Sequence, residues 1–164
     1  MDEEKKFWVG FNLVKGIGSA RMRRLLDFFG SAELAWRAEN EDLLAAGLSP
    51  RLAAALEQVR QGGTLDKTLE TIDRVGIQVL VWDDPEYPRR LKEIDHPPPV
   101  LYFSGELGEA DPGAVAVVGT RRVTAYGRQV TEEIGRELAL NGVSVISGLA
   151  RGIDALAHQA ALRT

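Results

Sequence analysis

Residues 115–122 read Val-Ala-Val-Val-Gly-Thr-Arg-Arg, and residues 143–154 read Val-Ser-Val-Ile-Ser-Gly-Leu-Ala-Arg-Gly-Ile-Asp. Each is a short apolar, β-branched run that breaks into a glycine-containing turn and then into a helical pattern. This alternation is the mark of parallel strands in an α/β sheet. In such sheets a ligand binds beyond the carboxyl ends of the strands. Here those ends carry Gly119, Thr120, Arg121 and Arg122, and then Ser147, Gly148, Ala150, Arg151 and Gly152. Small residues expose backbone N–H groups and the guanidinium groups add charge. Together they form a candidate phosphate site.

Working outward, the third and fourth strands are expected over 114–118 and 143–147, with helices over 126–140 and 152–162. Upstream, Gly76 switches the hydrophobic period. A strand is expected over 77–82 and a rigid two-proline loop over 83–88. A helical turn follows at 90–94, then extended chain through His96 and three prolines, a strand over 100–103 and a polar loop over 105–113. Four strands, of which the last two only begin a βα alternation, make a sheet that looks unfinished, so the chain reads as the N-terminal portion of a longer protein. The expected fold class is α/β, with a small helical domain over 1–75 and an incomplete Rossmann-like domain over 76–164.

The first domain is read from periodicity and caps. Phe7, Phe11 and Val14 share a helical face, and Lys15-Gly16-Ile17-Gly18 ends that run. Ser19 is the expected N-cap of the next helix, whose stripe is Met22, Leu25, Leu26 and Phe29 and whose stop is Gly30. Ser31 and Ser49-Pro50 are expected to open two further helices, and Asn40 to cap a short turn through Leu44 that Gly47 closes. Leu65, Leu69, Ile72 and Val75 make the last one. Trp8, Trp36 and Trp82 fall in apolar patterns and are expected in the core.

The chain has 164 residues, 45% hydrophobic, no cysteine and a formal net charge of -4. Disulfides and thiolate metal sites are excluded, and the composition fits a reducing cytoplasm. No apolar run reaches the ~18 residues of a membrane span, and the acidic start lacks a signal peptide's apolar core. The acidity is not uniform. Residues 1–30 carry six Lys/Arg against four Asp/Glu, residues 31–118 eight against sixteen, and residues 119–164 six against four. Both candidate binding segments are therefore locally basic, and the local field matters more than the net charge. Ordinary solvated surface charge is the competing reading.

A second candidate site is the helix–Gly16-Ile17-Gly18–helix hairpin. The following helix's free N–H groups and its macrodipole suit a phosphate oxygen, with Lys15, Arg21, Arg23 and Arg24 nearby. The segment resembles the helix-hairpin-helix motif, which grips nucleic-acid backbones without reading sequence. A tight αα turn that needs glycine for positive φ is the alternative.

Cofactor signals are missing. No Gly-x-Gly-x-x-Gly follows Val118, Ser147 stands where a ribose-binding carboxylate is expected, and Walker A is absent. Asp154 and His158 lie four apart and can pair, but two ligands do not make a metal site. His96 reads as a loop residue. No Ser-His-Asp set or close carboxylate pair is evident, so the expectation is a binding protein without cofactor or catalytic residues. Tyr126, after the basic turn, suits either stacking on a base or packing.

Taken together, Asp84-Pro85-Glu86-Tyr87-Pro88, Pro98-Pro99-Val100-Leu101-Tyr102, Val117-Val118-Gly119-Thr120-Arg121 and Ser147-Gly148-Leu149-Ala150-Arg151-Gly152-Ile153-Asp154 with Ala157-His158 resemble the bacterial DNA-processing protein A (DprA/Smf) family. The resemblance runs over nearly the whole chain. It implies a single-stranded DNA-binding protein of natural transformation that protects incoming DNA and helps load the RecA recombinase. It also implies a helical domain of sterile-alpha-motif type, an extended Rossmann-like domain and often a C-terminal winged-helix-like domain. Arg121 matches the family's phosphate-contacting Gly-x-Arg position. Homodimer and recombinase surfaces are implied mostly in a later region that this chain lacks. A Rossmann-like nucleotide-processing hydrolase, or an interaction module with an empty cradle, are the alternatives.

Overall fold

The structure is a computed structural model that describes residues 3–107 and 113–164. The chain divides into two compact units, 1–107 and 108–164.

In the first unit α1 (Lys5–Leu13) is the central element, followed by α2 (Ser19–Phe29), α3 (Ala32–Arg37), α4 (Asn40–Ala45), α5 (Pro50–Gln61) and α6 (Thr64–Val75). Phe7, Trp8, Val9 and Phe11 of α1 are all buried, so the helix is enclosed rather than amphipathic. Met22 and Leu25, Ala32 and Ala35, Leu43, Leu56 and Ile72 close around it from the other helices. The expected caps at Ser31 and Ser49 form, with Oγ accepting from Leu34 N–H at 3.1 Å and from Leu52 N–H at 3.4 Å. Two others shift by one residue: Gly18 and Glu39 take the N-cap positions, and Ser19 and Asn40 begin the helices. Gly18 and Glu39 have the extended backbone that a cap requires.

β1 (Gln78–Val81), the short α7 (Arg89–Lys92) and β2 (Val100–Phe103) complete this unit. β1 and β2 pair antiparallel with each other, Val81 opposite Val100, and not with the later strands. The reason lies in the proline-rich connection. Trp82 Nε1–H and Tyr87 O–H both donate to the Pro98 carbonyl, at 3.0 and 2.8 Å. That pins the end of the connection beside its start, and the chain returns next to where it left. The pair is also tied to α1. Trp8 meets Trp82 edge to face with ring centroids 5.7 Å apart, and Lys5 Nζ reaches Asp84 at 2.8 Å and Val79 O at 3.2 Å. An aromatic pair of this kind adds about 0.5–1.5 kcal/mol beyond its buried area. The packing boundary at 107/108 therefore lies after these strands, whereas the period switch at Gly76 falls inside the unit. Of the polar loop expected over 105–113, residues 108–112 lie outside the described residues.

The second unit is β3 (Val115–Ala116), α8 (Ala125–Leu140), β4 (Val145–Ile146) and α9 (Ile153–Leu162). β3 and β4 are parallel, Val115 opposite Val145 and Ala116 opposite Ile146, with α8 as the crossover. This is the βαβ connection read from the sequence, with strands shorter than expected. Thr124 caps α8 by accepting from Gly127 N–H at 3.1 Å. α8 and α9 approach closely at Gly135, where an added Cβ would lie 3.0 Å from Ala157 O and from Ala160 Cβ. Among the described residues no helix is long and apolar enough to cross a membrane.

Candidate nucleic-acid interface

The carboxyl ends of β3 and β4 lead into two turns that lock into each other. Ser147 Oγ–H donates to Val117 O at 2.6 Å, and Ile153 N–H donates to Thr120 O at 3.2 Å. Gly152 sits at φ 98°, and a Cβ there would lie 2.3 Å from Thr120 O and 2.7 Å from Arg121 Cα. No other residue fits that approach in that conformation. Asp154 is only 6% exposed. Its Oδ1 accepts from Gly119 N–H at 3.4 Å. Its Oδ2 lies 3.0 Å from where a Cβ on Gly148 would stand. One buried carboxylate thus touches both turns.

The structure brings Gly119, Thr120, Arg121 and Arg122 together with Ser147, Gly148, Ala150, Arg151 and Gly152 in this one place. Arg121, Arg122 and Arg151 are exposed, and their guanidinium groups make no ion pair or hydrogen bond among the described residues. Arg128, one helical turn further on, is paired with Glu132 at 3.8 Å. Three uncompensated cations on a rigid platform can hold anionic oxygen atoms without a large reorganisation.

The backbone donors are less available than the small residues imply. Gly119 N–H is taken by Asp154, and Arg122 N–H donates to Thr120 Oγ1 at 3.1 Å. The first turn of α9 is also used internally, Ile153 N–H by Thr120 O and Ala155 N–H by Ala150 O at 3.1 Å. Side-chain charge is therefore joined mainly by the amides of the second turn, where the N–H groups of Gly148, Leu149, Ala150, Arg151 and Gly152 donate to no acceptor among the described residues.

The Asp154–His158 pair that the spacing permits does not form, because Asp154 turns inward to Gly119. Among the described residues no group of three or more His, Cys, Asp or Glu could hold a metal ion. His96 is an exposed loop residue. Leu149, absent from the sequence-based set, lies at the centre of the second turn with φ 53° and is 77% exposed. Its signal was an apolar residue set between small ones, in a turn where polar residues are the norm.

In the first unit the hairpin between α1 and α2 has Gly16 at φ 111°, a conformation that favours glycine. Gly18 is extended, with nothing within 4 Å of a Cβ, so it meets no such requirement. The N-terminus of α2 has no side-chain cap. Lys15 is exposed beside it, without a partner among the described residues. The other cations are engaged. Arg21 Nη1–H donates to Gly16 O at 2.7 Å, Arg23 lies 5.5 Å from the Trp82 ring centroid, and Arg24 lies against Gly47. A cleft of about 330 Å³ beside α2 holds Arg23 and Arg24, but also Asp27 and Asp95. The hairpin is thus a helix N-terminus with one free cation among the described residues.

The family described as DNA recombination-mediator protein A matches residues 78–164. The chain belongs to this family. Protein Smf of Synechocystis is 37% identical over 99% of the chain and 42% of its own length. DNA processing protein DprA of Bacillus subtilis is 36% identical over 60% of the chain and 34% of its length. The X-ray structure of DNA processing protein A from Streptococcus pneumoniae superposes with a TM-score of 0.70 at 25% identity, over 96% of this chain and 54% of that one. This family member therefore spans about half or less of the relatives it matches. The matched region contains both turns and their three free arginines, and leaves out the α1–α2 hairpin.

Proposed function

We propose that the protein binds single-stranded DNA through its phosphates at the carboxyl ends of β3 and β4, in the cytoplasm, without cofactor or catalysis. The observation that carries this reading is the set of three exposed, unpaired guanidinium groups of Arg121, Arg122 and Arg151 on two interlocked turns. Gly119, Thr120, Ser147, Gly148, Ala150 and Gly152 form the platform. A site with charge but no base-edge reader gives affinity without sequence preference. Relatives named as DNA processing proteins support nucleic acid as the ligand. We extend the reading to natural transformation, in which the protein shields incoming strands and passes them to a RecA-type recombinase, acting as a homodimer.

The same proposal treats β3-α8-β4-α9 as the opening of a Rossmann-like sheet and residues 1–75 as a helical domain of sterile-alpha-motif or helix-hairpin-helix type. The family match begins at residue 78, near the proposed sequence boundary at 75/76, while β1 and β2 pack with the helices of the first unit. Lys15, Gly16 and Gly18, with Arg21 and Arg24, form a second, weaker DNA contact.

A salt-titrated binding measurement on single- and double-stranded oligonucleotides tests the reading. Tighter binding of single strands, weakening linearly in log salt, is expected. Equal affinity for duplex, or release of free base from a nucleoside monophosphate, overturns it.

A further inference from the structure

Three turns of the second unit converge on Ile153. A Cβ on Gly119 would lie 2.7 Å from Ile153 Cγ1, and one on Gly127 would lie 3.8 Å from Ile153 Cδ1. Gly152, the residue before Ile153, rests on Thr120 and Arg121. The α8 N-terminus therefore belongs to the same cluster as the two arginine-bearing turns. Val118, Tyr126 and Leu149 of this cluster all stand in water, and two of them are distinctive. Tyr126, in the first turn of α8, is 77% exposed and makes no hydrogen bond or ring contact among the described residues. Leu149 is equally exposed, and its φ of 53° places a branched residue in the left-handed region. Exposure alone does not single it out, since Val118 and Ile146 are exposed as well; the backbone does, because strained positions gather where a ligand is met. Single exposed apolar residues are ordinary. An unpacked ring and a strained leucine amid three free arginines are not.

We infer that Tyr126 and Leu149 form the base-contacting surface of this site. The arginines hold phosphates, the tyrosine ring stacks on an unstacked base, and the leucine lies against a neighbouring one. This rests on the phosphate-site reading and deepens it. The selectivity is for unpaired bases and not for a sequence, because every base has a flat apolar face, whereas in duplex those faces are covered by stacking.

The test uses the full-length protein with a thymidine oligonucleotide and an abasic strand of equal length. The wild type is expected to bind the thymidine strand about tenfold tighter or more. Tyr126→Ala should cut thymidine-strand affinity about 5- to 100-fold and leave abasic binding and the salt slope unchanged. Tyr126→Phe should keep the wild-type difference. Leu149→Gly relieves the backbone, so it should lose part of the base preference while unfolding at the same temperature or higher. Equal binding of both strands by the wild type, or an equal loss on both in Tyr126→Ala, overturns the base-contact inference alone. Binding of neither strand at low salt overturns the phosphate site, and this inference with it.

Discussion

The Asp154 carboxylate accepts the Gly119 N–H at 3.4 Å while its other oxygen faces Gly148, so the first turn of α9 holds the ends of both parallel strands. This acidic side chain has a positional role: it is buried and accepts the Gly119 amide. Asp154→Ala leaves the Gly119 donor without its acceptor and should destabilise the second unit by about 1–3 kcal/mol. Asp154→Asn keeps an acceptor and should lose less. Urea unfolding of the two variants checks this; identical midpoints for wild type and Asp154→Ala would sink it.

Arg121 is exposed and has no partner among the described residues. Arg121→Ala should therefore leave the unfolding transition in place. Its effect should appear in binding, where one lost phosphate contact lowers the slope of log K against log salt by about 0.7 for a single strand. An unchanged slope shows that Arg121 stands outside the interface.

Gly152 combines φ 98° with a Cβ position 2.3 Å from Thr120 O. Gly152→Ala must either move the Thr120–Arg121 turn or break the Ile153–Thr120 hydrogen bond. We expect a loss of more than about 1 kcal/mol, with weaker DNA binding as Arg121 and Arg151 lose their fixed separation. A variant with wild-type thermal stability would mean that the turns are not locked.

At the α1–α2 hairpin the clean probe is Lys15→Glu. Arg21 clasps Gly16 O and is part of the turn, so its reversal mixes folding with binding. Lys15 is free, and its reversal should lower affinity several-fold at low salt without shifting the unfolding midpoint. Gly18→Ala is also tolerated by the open space around it and tests the backbone contact. If amide signals of residues 15–24 stay still on oligonucleotide titration, the hairpin is only a connection.

Burial pushes the Tyr87 phenol above its ordinary value of 10.0, against a smaller opposing effect of the neighbouring Trp82 indole N–H. The folded state thus favours the neutral phenol. Its contribution is fully present below pH 10 and is lost as pH rises further, because the unfolded chain ionises first. Tyr87→Phe should flatten this alkaline loss. At neutral pH it should cost about 1 kcal/mol through the missing hydrogen bond to Pro98 O. Chemical denaturation at neutral and alkaline pH separates the two effects.

The elements of this protein were largely legible in the chain itself. Helix stripes, the serine caps at Ser31 and Ser49 and the βα alternation around 115–162 follow from local periodicity and local hydrogen bonding, which need no distant partner. That the two basic turns follow the ends of parallel strands was legible for the same reason, since strand ends and basic turns are local features. Pairing was not. Nothing in the spacing of 77–82 and 100–103 says that they pair with each other; that is set by two side chains converging on one carbonyl, Trp82 and Tyr87 on Pro98, and by Trp8 reaching across from α1. Which polar groups are free was equally a tertiary matter. Asp154 took the Gly119 amide, Thr120 took the α9 amide, Arg21 folded back on Gly16, and Leu149 was left exposed at a left-handed turn. By itself the sequence determined where helices, strands and charge lie. The tertiary structure alone decided which donors, cations and apolar groups remain unspent, because that depends on neighbours brought together only when the chain packs.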